Sequence, residues 1–188
     1  ENPQGMWHLA HSYKYGVGCR KSYKKAFYWY EQSAKLGYSN AMNSLAICYE
    51  EGLGVKKTYE KAFYWYNCAA KLENKEAMFS LGYYYKNGLA VEIDLEKSFY
   101  WYEQSALAGY SDAMWQLGVY YEEGIGVEKN PKNAFEWYKN SALENNDVGM
   151  WRLSLCYING VGTNRNPEKA LYWCERSAKK GNASAFWS

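Results

Sequence analysis

Long apolar runs, a surplus of charge of either sign, and histidine are what this chain of 188 residues has least of. No window approaches the roughly 18 uninterrupted apolar residues of a membrane span, so membrane insertion is not expected. The polar N-terminus carries no signal-peptide pattern. Lys and Arg number 22 against 20 Asp and Glu, interleaved to a net charge of +2, which leaves no electrostatic footprint for nucleic acid. The two histidines, His8 and His11, stand three apart on one helical face, a spacing two metal ligands can use, but no third ligand adjoins them in sequence. No metal and no cofactor are therefore expected. The carboxylate pairs Glu50-Glu51 and Glu122-Glu123 are sequence neighbours, and neighbours on a helix point about 100° apart, so they are not poised dyads. No nucleophile with a positioned base can be assembled, and the chain is not expected to be an enzyme.

What the sequence does have is a period. Every 36 residues, without insertion or deletion, the same residue types return. Met6, Met42, Met78, Met114 and Met150 share one phase, Leu9, Leu45, Leu81, Leu117 and Leu153 a second, and Trp29, Trp65, Trp101, Trp137 and Trp173 a third. Self-similarity at this spacing signals stacked supersecondary units, each touching mainly its neighbours. Such a design offers an extended binding surface in place of a catalytic pocket.

One repeat can be read physically on residues 41–76. Ala41, Met42, Leu45, Ala46 and Tyr49 recur at helical spacing and form the apolar stripe of a first helix. Gly52 and Gly54 follow, where a tight turn demands positive φ, and glycine recurs at the matching places except for Ala90. A second helix then opens at Ser22, Thr58, Asp94, Asn130 and Asn166, all strong N-cap residues, with Pro131 and Pro167 at the first helical position of the last two repeats. Ala62, Trp65, Tyr66 and Ala69 are expected to face the interior. The recurring Gly-x-Gly follows a helix and lacks the strand-turn-helix context of a phosphate-binding loop.

The run Ala41-Met42-Asn43-Ser44-Leu45-Ala46 with Tyr49, Gly52, Gly54 and Val55, then Lys61-Ala62-Phe63-Tyr64-Trp65-Tyr66 with Ala69 and Ala70, resembles the Sel-one-like repeat family, a longer-looped relative of the tetratricopeptide repeat. The resemblance spans essentially the whole chain. It implies an all-α, right-handed α/α superhelix of antiparallel helix pairs, used as a scaffold or adaptor for other proteins. One array over residues 1–188 is expected, with repeats at 5–40, 41–76, 77–112, 113–148 and 149–184. Both ends fall inside repeats: Ser184 to Ser188 match the first turn of a following helix, with Trp187 at the phase of Trp151. The expectation is a piece of a longer array whose last visible repeat is frayed, so that truncating Leu153 is milder than truncating Leu81. The alternative function is a regulatory array attached to a catalytic domain, such as a kinase, outside this chain.

The cysteine-rich secreted branch of the family ties each repeat with a Cys pair, at places that here hold Ala34 and Met42, or Ala70 and Met78. The five cysteines are instead scattered, which favours free thiols in a reducing, cytoplasmic location. The sequon Asn182-Ala183-Ser184 keeps the endoplasmic reticulum lumen as the alternative.

In tetratricopeptide-like arrays the first helices line the concave side, and the resemblance maps that side onto three rows. The first holds Trp7, Asn43, Phe79, Trp115 and Trp151, the second His11, Ile47, Tyr83, Val119 and Leu155, and the third Lys14, Glu50, Lys86, Glu122 and Ile158. The candidate partner-binding residues are Trp7, His11, Ile47, Glu50, Phe79, Tyr83, Lys86, Trp115, Val119, Glu122, Trp151 and Leu155. This aromatic and aliphatic ladder, edged with mixed charge, suits a protein or peptide partner held by hydrophobic anchors. Each aromatic has two open readings, groove lining or packing on the neighbouring helix. The row Tyr28, Tyr64, Tyr100 and Tyr172 on the opposite side is a second possible contact surface.

Overall fold

A computed structural model describes residues 2–182; Trp187 and the last two residues of the sequon lie outside them. Ten α-helices, and no strand, make up the described residues. The first helices of the five pairs are α1 (Pro3–Tyr15), α3 (Ser39–Glu51), α5 (Lys75–Asn87), α7 (Ser111–Glu123) and α9 (Asp147–Asn159). The second helices are α2 (Tyr23–Lys35), α4 (Tyr59–Ala70), α6 (Leu95–Leu107), α8 (Pro131–Leu143) and α10 (Pro167–Lys179). The chain divides into two compact units, Glu1–Ile93 and Asp94–Ser188. In the first, α1 packs on α2, α2 on α3, α3 on α4 and α4 on α5; in the second, α6 packs on α7, α7 on α8, α8 on α9 and α9 on α10, and α7 also meets α9.

The helix ends follow from the residues expected there. Ser22, Asp94, Asn130 and Asn166 each accept a hydrogen bond from the backbone N–H three residues on, which satisfies a donor the helix itself leaves open. Thr58 holds the same place without that bond, and its hydroxyl donates to the Lys56 carbonyl instead. Every first helix closes on a left-handed glycine, Gly16, Gly52, Gly88, Gly124 or Gly160.

The second glycine of the turn has a different task. Gly54 sits at φ 74°, and a Cβ added there would run into the carbonyl oxygen of Tyr23, in the first turn of the preceding repeat's second helix. Gly126 meets Leu95 and Gly162 meets Pro131 in the same way. Gly18, by contrast, meets nothing within 4 Å among the described residues. This glycine is therefore an inter-repeat contact as well as a turn residue. Ala90 occupies the place at φ 58° and bears the left-handed cost of about 1–2 kcal/mol for a residue with a Cβ.

Between repeats, an aromatic pair recurs at nearly constant geometry. Phe27 meets Tyr49 at 5.4 Å and 89°, Phe63 meets Tyr85 at 5.7 Å and 79°, Phe99 meets Tyr121 at 5.5 Å and 88°, and Phe135 meets Tyr157 at 5.5 Å and 85°. Edge-to-face contacts of this kind add about 0.5–1.5 kcal/mol each beyond area burial. Within repeats, a buried serine on the second helix donates to the first helix's opening carbonyl: Ser33 to Pro3, Ser141 to Ser111 and Ser177 to Asp147.

Three expectations about the core need correction. The leucine row is fully buried at Leu45, Leu81, Leu117 and Leu153, whereas Leu9 is 38% exposed. The last repeat is thus not the frayed one at this position, because Leu153 sits in a cluster with Met150, Tyr138, Phe135 and Cys156. The tryptophan row is only half-buried, and the fully buried aromatics of the second helices are Tyr30, Tyr66, Tyr102 and Tyr138. All five cysteines are free thiols; Cys48 and Cys156 are buried.

Two outcomes follow for stability in urea. Gly54→Ala is expected to lose more than about 2 kcal/mol, strain and collision together, against about 1 kcal/mol for Gly18→Ala, where strain acts alone. Leu81→Ala and Leu153→Ala are each expected to cost about 2–5 kcal/mol, and Leu9→Ala clearly less, because only the first two leave a cavity.

Candidate protein-interaction surface on the first helices

The three rows lie on the first helices, and the structure distributes their residues unevenly between surface and core. In the first unit, Trp7, His11, Asn43, Ser44 and Ile47 line an open groove of about 300 Å³. Trp7 is half-buried and its indole Nε1–H donates to Ser44 Oγ of the next repeat at 3.0 Å. Its ring lies 4.1 Å from that of His11 and 6.0 Å from that of Tyr38. Both readings of this residue therefore hold at once: it packs on the neighbouring first helix and lines the groove. Phe79 and Lys86 are half-buried, and Tyr83 is 47% exposed.

In the second unit, Trp115, Trp151 and Leu155 are half-buried. Val119 is a correction to the expected face. Only 8% of its surface is exposed, and it packs with Ala134, Phe135 and Tyr138 in the core cluster, leaving little for a partner to touch. Trp115 rests against the same cluster.

The third row is tied to the core by phenols. Tyr66 OH donates to Glu50 Oε2 at 2.6 Å, and Tyr138 OH donates to Glu122 Oε2 at 2.5 Å. In the first repeat Tyr30 OH meets His11 Nδ1 at 2.8 Å instead. Burial holds the His11 pKa below its usual value, with Lys14 adding to the effect, and His8 stands exposed beside it. Among the described residues no group of three or more His, Cys, Asp or Glu side chains could hold a metal ion.

Burial pushes the Tyr66, Tyr84 and Tyr138 phenols up, and the nearby Glu50 or Glu122 carboxylate pushes them further. Tyr84 OH is buried, with the Glu50 carboxylate nearby. Its counterpart Tyr120 OH has a partner in Ser98 at 2.7 Å, and the place of Ser98 is held by Ala62 beside Tyr84. The opposite surface carries Tyr28, Tyr64, Tyr100 and Tyr172, each about half exposed and each standing edge-on to the tryptophan that follows it.

The tyrosine contacts and the serine staples escaped the sequence reading. A signal was available: serine at one phase of four second helices, inside a stripe otherwise made of Ala and aromatics, marks a buried hydroxyl with a fixed acceptor.

A profile of the Sel1 repeat matches residues 3–38, 39–74, 75–110, 111–146 and 148–182, and the chain belongs to the Sel1 repeat family. A Sel1 repeat protein from Oxalobacter formigenes superposes with a TM-score of 0.94 at 32% identity, covering 98% of this chain and 75% of that one. The protective antigen c5321 of uropathogenic Escherichia coli, which displays an SLR fold, gives 0.90 at 30% identity over 97% of this chain and 39% of its own. The immunity protein PA5088 from Pseudomonas aeruginosa gives 0.66 at 16% identity over 97% of this chain and 66% of its own, a likeness of fold alone. No protein with a curated description matches the chain in sequence. The fold class is thus the all-α solenoid of helix pairs, and proteins built this way are in general protein-interaction scaffolds without catalysis of their own. No helix among the described residues is long and apolar enough to cross a membrane.

The buried phenols and thiols set a pH dependence. Burial pushes Cys48 and Cys156 up to about 12 from 9.0, and the tyrosines rise in the same direction. Above pH 9 the unfolded chain releases protons that the folded chain retains, so stability falls as pH rises. Urea unfolding is expected to show a lower midpoint at pH 10.5 than at pH 8, with a shallower fall in Tyr66→Phe. A midpoint independent of pH over this interval is incompatible with the buried set.

Proposed function

We propose that this chain is a non-catalytic scaffold that holds a protein or peptide partner along its first-helix face, with no cofactor. The observation that carries the reading is the half-buried aromatic row. Trp7 in the first unit and Trp115 and Trp151 in the second are packed well enough to be rigid, yet they keep part of their surface open. Rigid, partly open aromatics of this kind are the anchors on which binding energy concentrates. The groove beside Trp7 adds Ile47, His11 and the amide of Asn43, a mixture of apolar wall and polar edge suited to an extended segment. Glu50 in the first unit and Glu122 in the second, each held by a phenol, place fixed charge on the first helices.

The test is affinity capture with the purified chain, identification of the bound protein by mass spectrometry, and calorimetry on single variants. Trp115→Ala is expected to weaken the captured partner by about 2 kcal/mol or more while remaining helical by circular dichroism. Tyr64→Ala, on the opposite surface, is expected to leave the affinity nearly unchanged. The reverse pattern places the contact on the second helices.

A further inference from the structure

We propose that Arg152 and Trp115 form a carboxylate-binding subsite in the second unit, so that the partner presents an acidic side chain or a chain terminus next to an apolar one. The inference rests on the reading of the first-helix face as the partner-binding surface. It begins from a comparison between repeats. Trp7 finds its acceptor in Ser44, 37 residues on, in the next first helix. Trp115 holds the same phase as Trp7, and the residue 37 places beyond it is Arg152. An indole and a guanidinium carry donors only. Trp115 Nε1–H and Arg152 Nε–H are both buried with no hydrogen-bond partner. Two donors thus occupy a junction where the first unit pairs a donor with an acceptor.

The acidic group beside them does not supply what is missing. Glu122 Oε2 lies 4.0 Å from Arg152 Nη1, beyond hydrogen-bond reach, and it already accepts the Tyr138 hydroxyl at 2.5 Å. Since Glu122 faces Nη1, the other edge of the guanidinium, Nε with Nη2, remains for a carboxylate, which matches that fork with two parallel hydrogen bonds. The Arg152 guanidinium carbon stands over the Trp151 ring, 5.0 Å from its centre. Trp151 and half-buried Leu155 give the subsite an apolar flank, where a charge-assisted bond is stronger than in open water. Neither Nε–H nor the indole N–H is open to water as placed, so binding requires a rotation of the Arg152 side chain. That side chain is 29% exposed and held by no short contact to Glu122.

The experiment uses the ¹⁵N-labelled chain, with the Trp115 indole and Arg152 Nε–H signals assigned, and four peptide probes. N-acetyl-Leu-Glu amide and N-acetyl-Leu-Gln amide compare an acidic side chain with its neutral isostere. N-acetyl-Leu-Leu as free acid and as amide compares a chain terminus with its neutral form. Saturable shifts of both signals with at least one acid are expected, and binding about tenfold or more weaker for its neutral partner. Arg152→Gln is expected to remove that preference. Arg152→Ser restores the acceptor that Trp7 enjoys, so it too loses the acid response, and its Trp115 indole proton moves toward a bonded shift. Equal response to acid and neutral probes overturns the carboxylate subsite and leaves the face as a peptide surface. An acid preference that survives in Arg152→Gln overturns it as well. No response to any probe at Trp115, Arg152 or Trp151 argues against both the subsite and the face.

Discussion

A phenol buried on the second helix governs the outer surface of the first. Tyr30, Tyr66 and Tyr138 have essentially no exposed surface, so their hydroxyls must find partners inside the repeat, and they find them in His11, Glu50 and Glu122. Those partners belong to the face read here as the binding surface. The core therefore determines where the charges of that face stand, and their side chains lose little further freedom when a partner arrives. The ring needs room as much as the hydroxyl needs a partner. A Cβ on Gly118 would collide with the Tyr138 ring, so α7 has no room for a side chain at this place.

Much of this was legible in the sequence because the repeats supply their own comparison. Helix order, the Ser22, Asp94, Asn130 and Asn166 caps, the closing glycines and the leucine stripe all follow from local chemistry repeated at one phase. What stayed hidden depends on the layer above or below. Gly54 reads as a turn residue until Tyr23 is seen behind it. Val119 shares its phase with exposed Tyr83 but falls into the core, because Phe135 and Tyr138 close over it. Leu9 has the same residue type as Leu153 and quite different burial, a difference set by neighbouring helices that no window of sequence contains.

The candidate surface shows the same division. Periodicity alone assigns Trp7, Trp115 and Trp151 to one row. It cannot say that the Trp7 indole N–H is satisfied by Ser44 while that of Trp115 is buried without a hydrogen bond, because that depends on which side chain the next first helix brings to the junction. Chemistry at such a junction is a property of two repeats together.

Junctions between repeats also come in two kinds. At the N-cap of α3, Tyr38 offers no side-chain cap and lies edge-on to Trp7, and Tyr110 heads α7 without a cap as well. At α5 and α9 the N-caps are Asn74 and Asn146, which reach back to Asn40 Oδ1 at 2.8 Å and Asp112 Oδ1 at 2.7 Å. The residue before each cap alternates too, from Gly37 to Glu73, then Gly109 to Asn145, all with positive φ. Chemically, then, the array has a period of two repeats laid over its geometric period of one. Excising a single repeat would bring two caps of the same kind into succession, whereas excising two adjacent repeats would keep the two kinds of cap alternating.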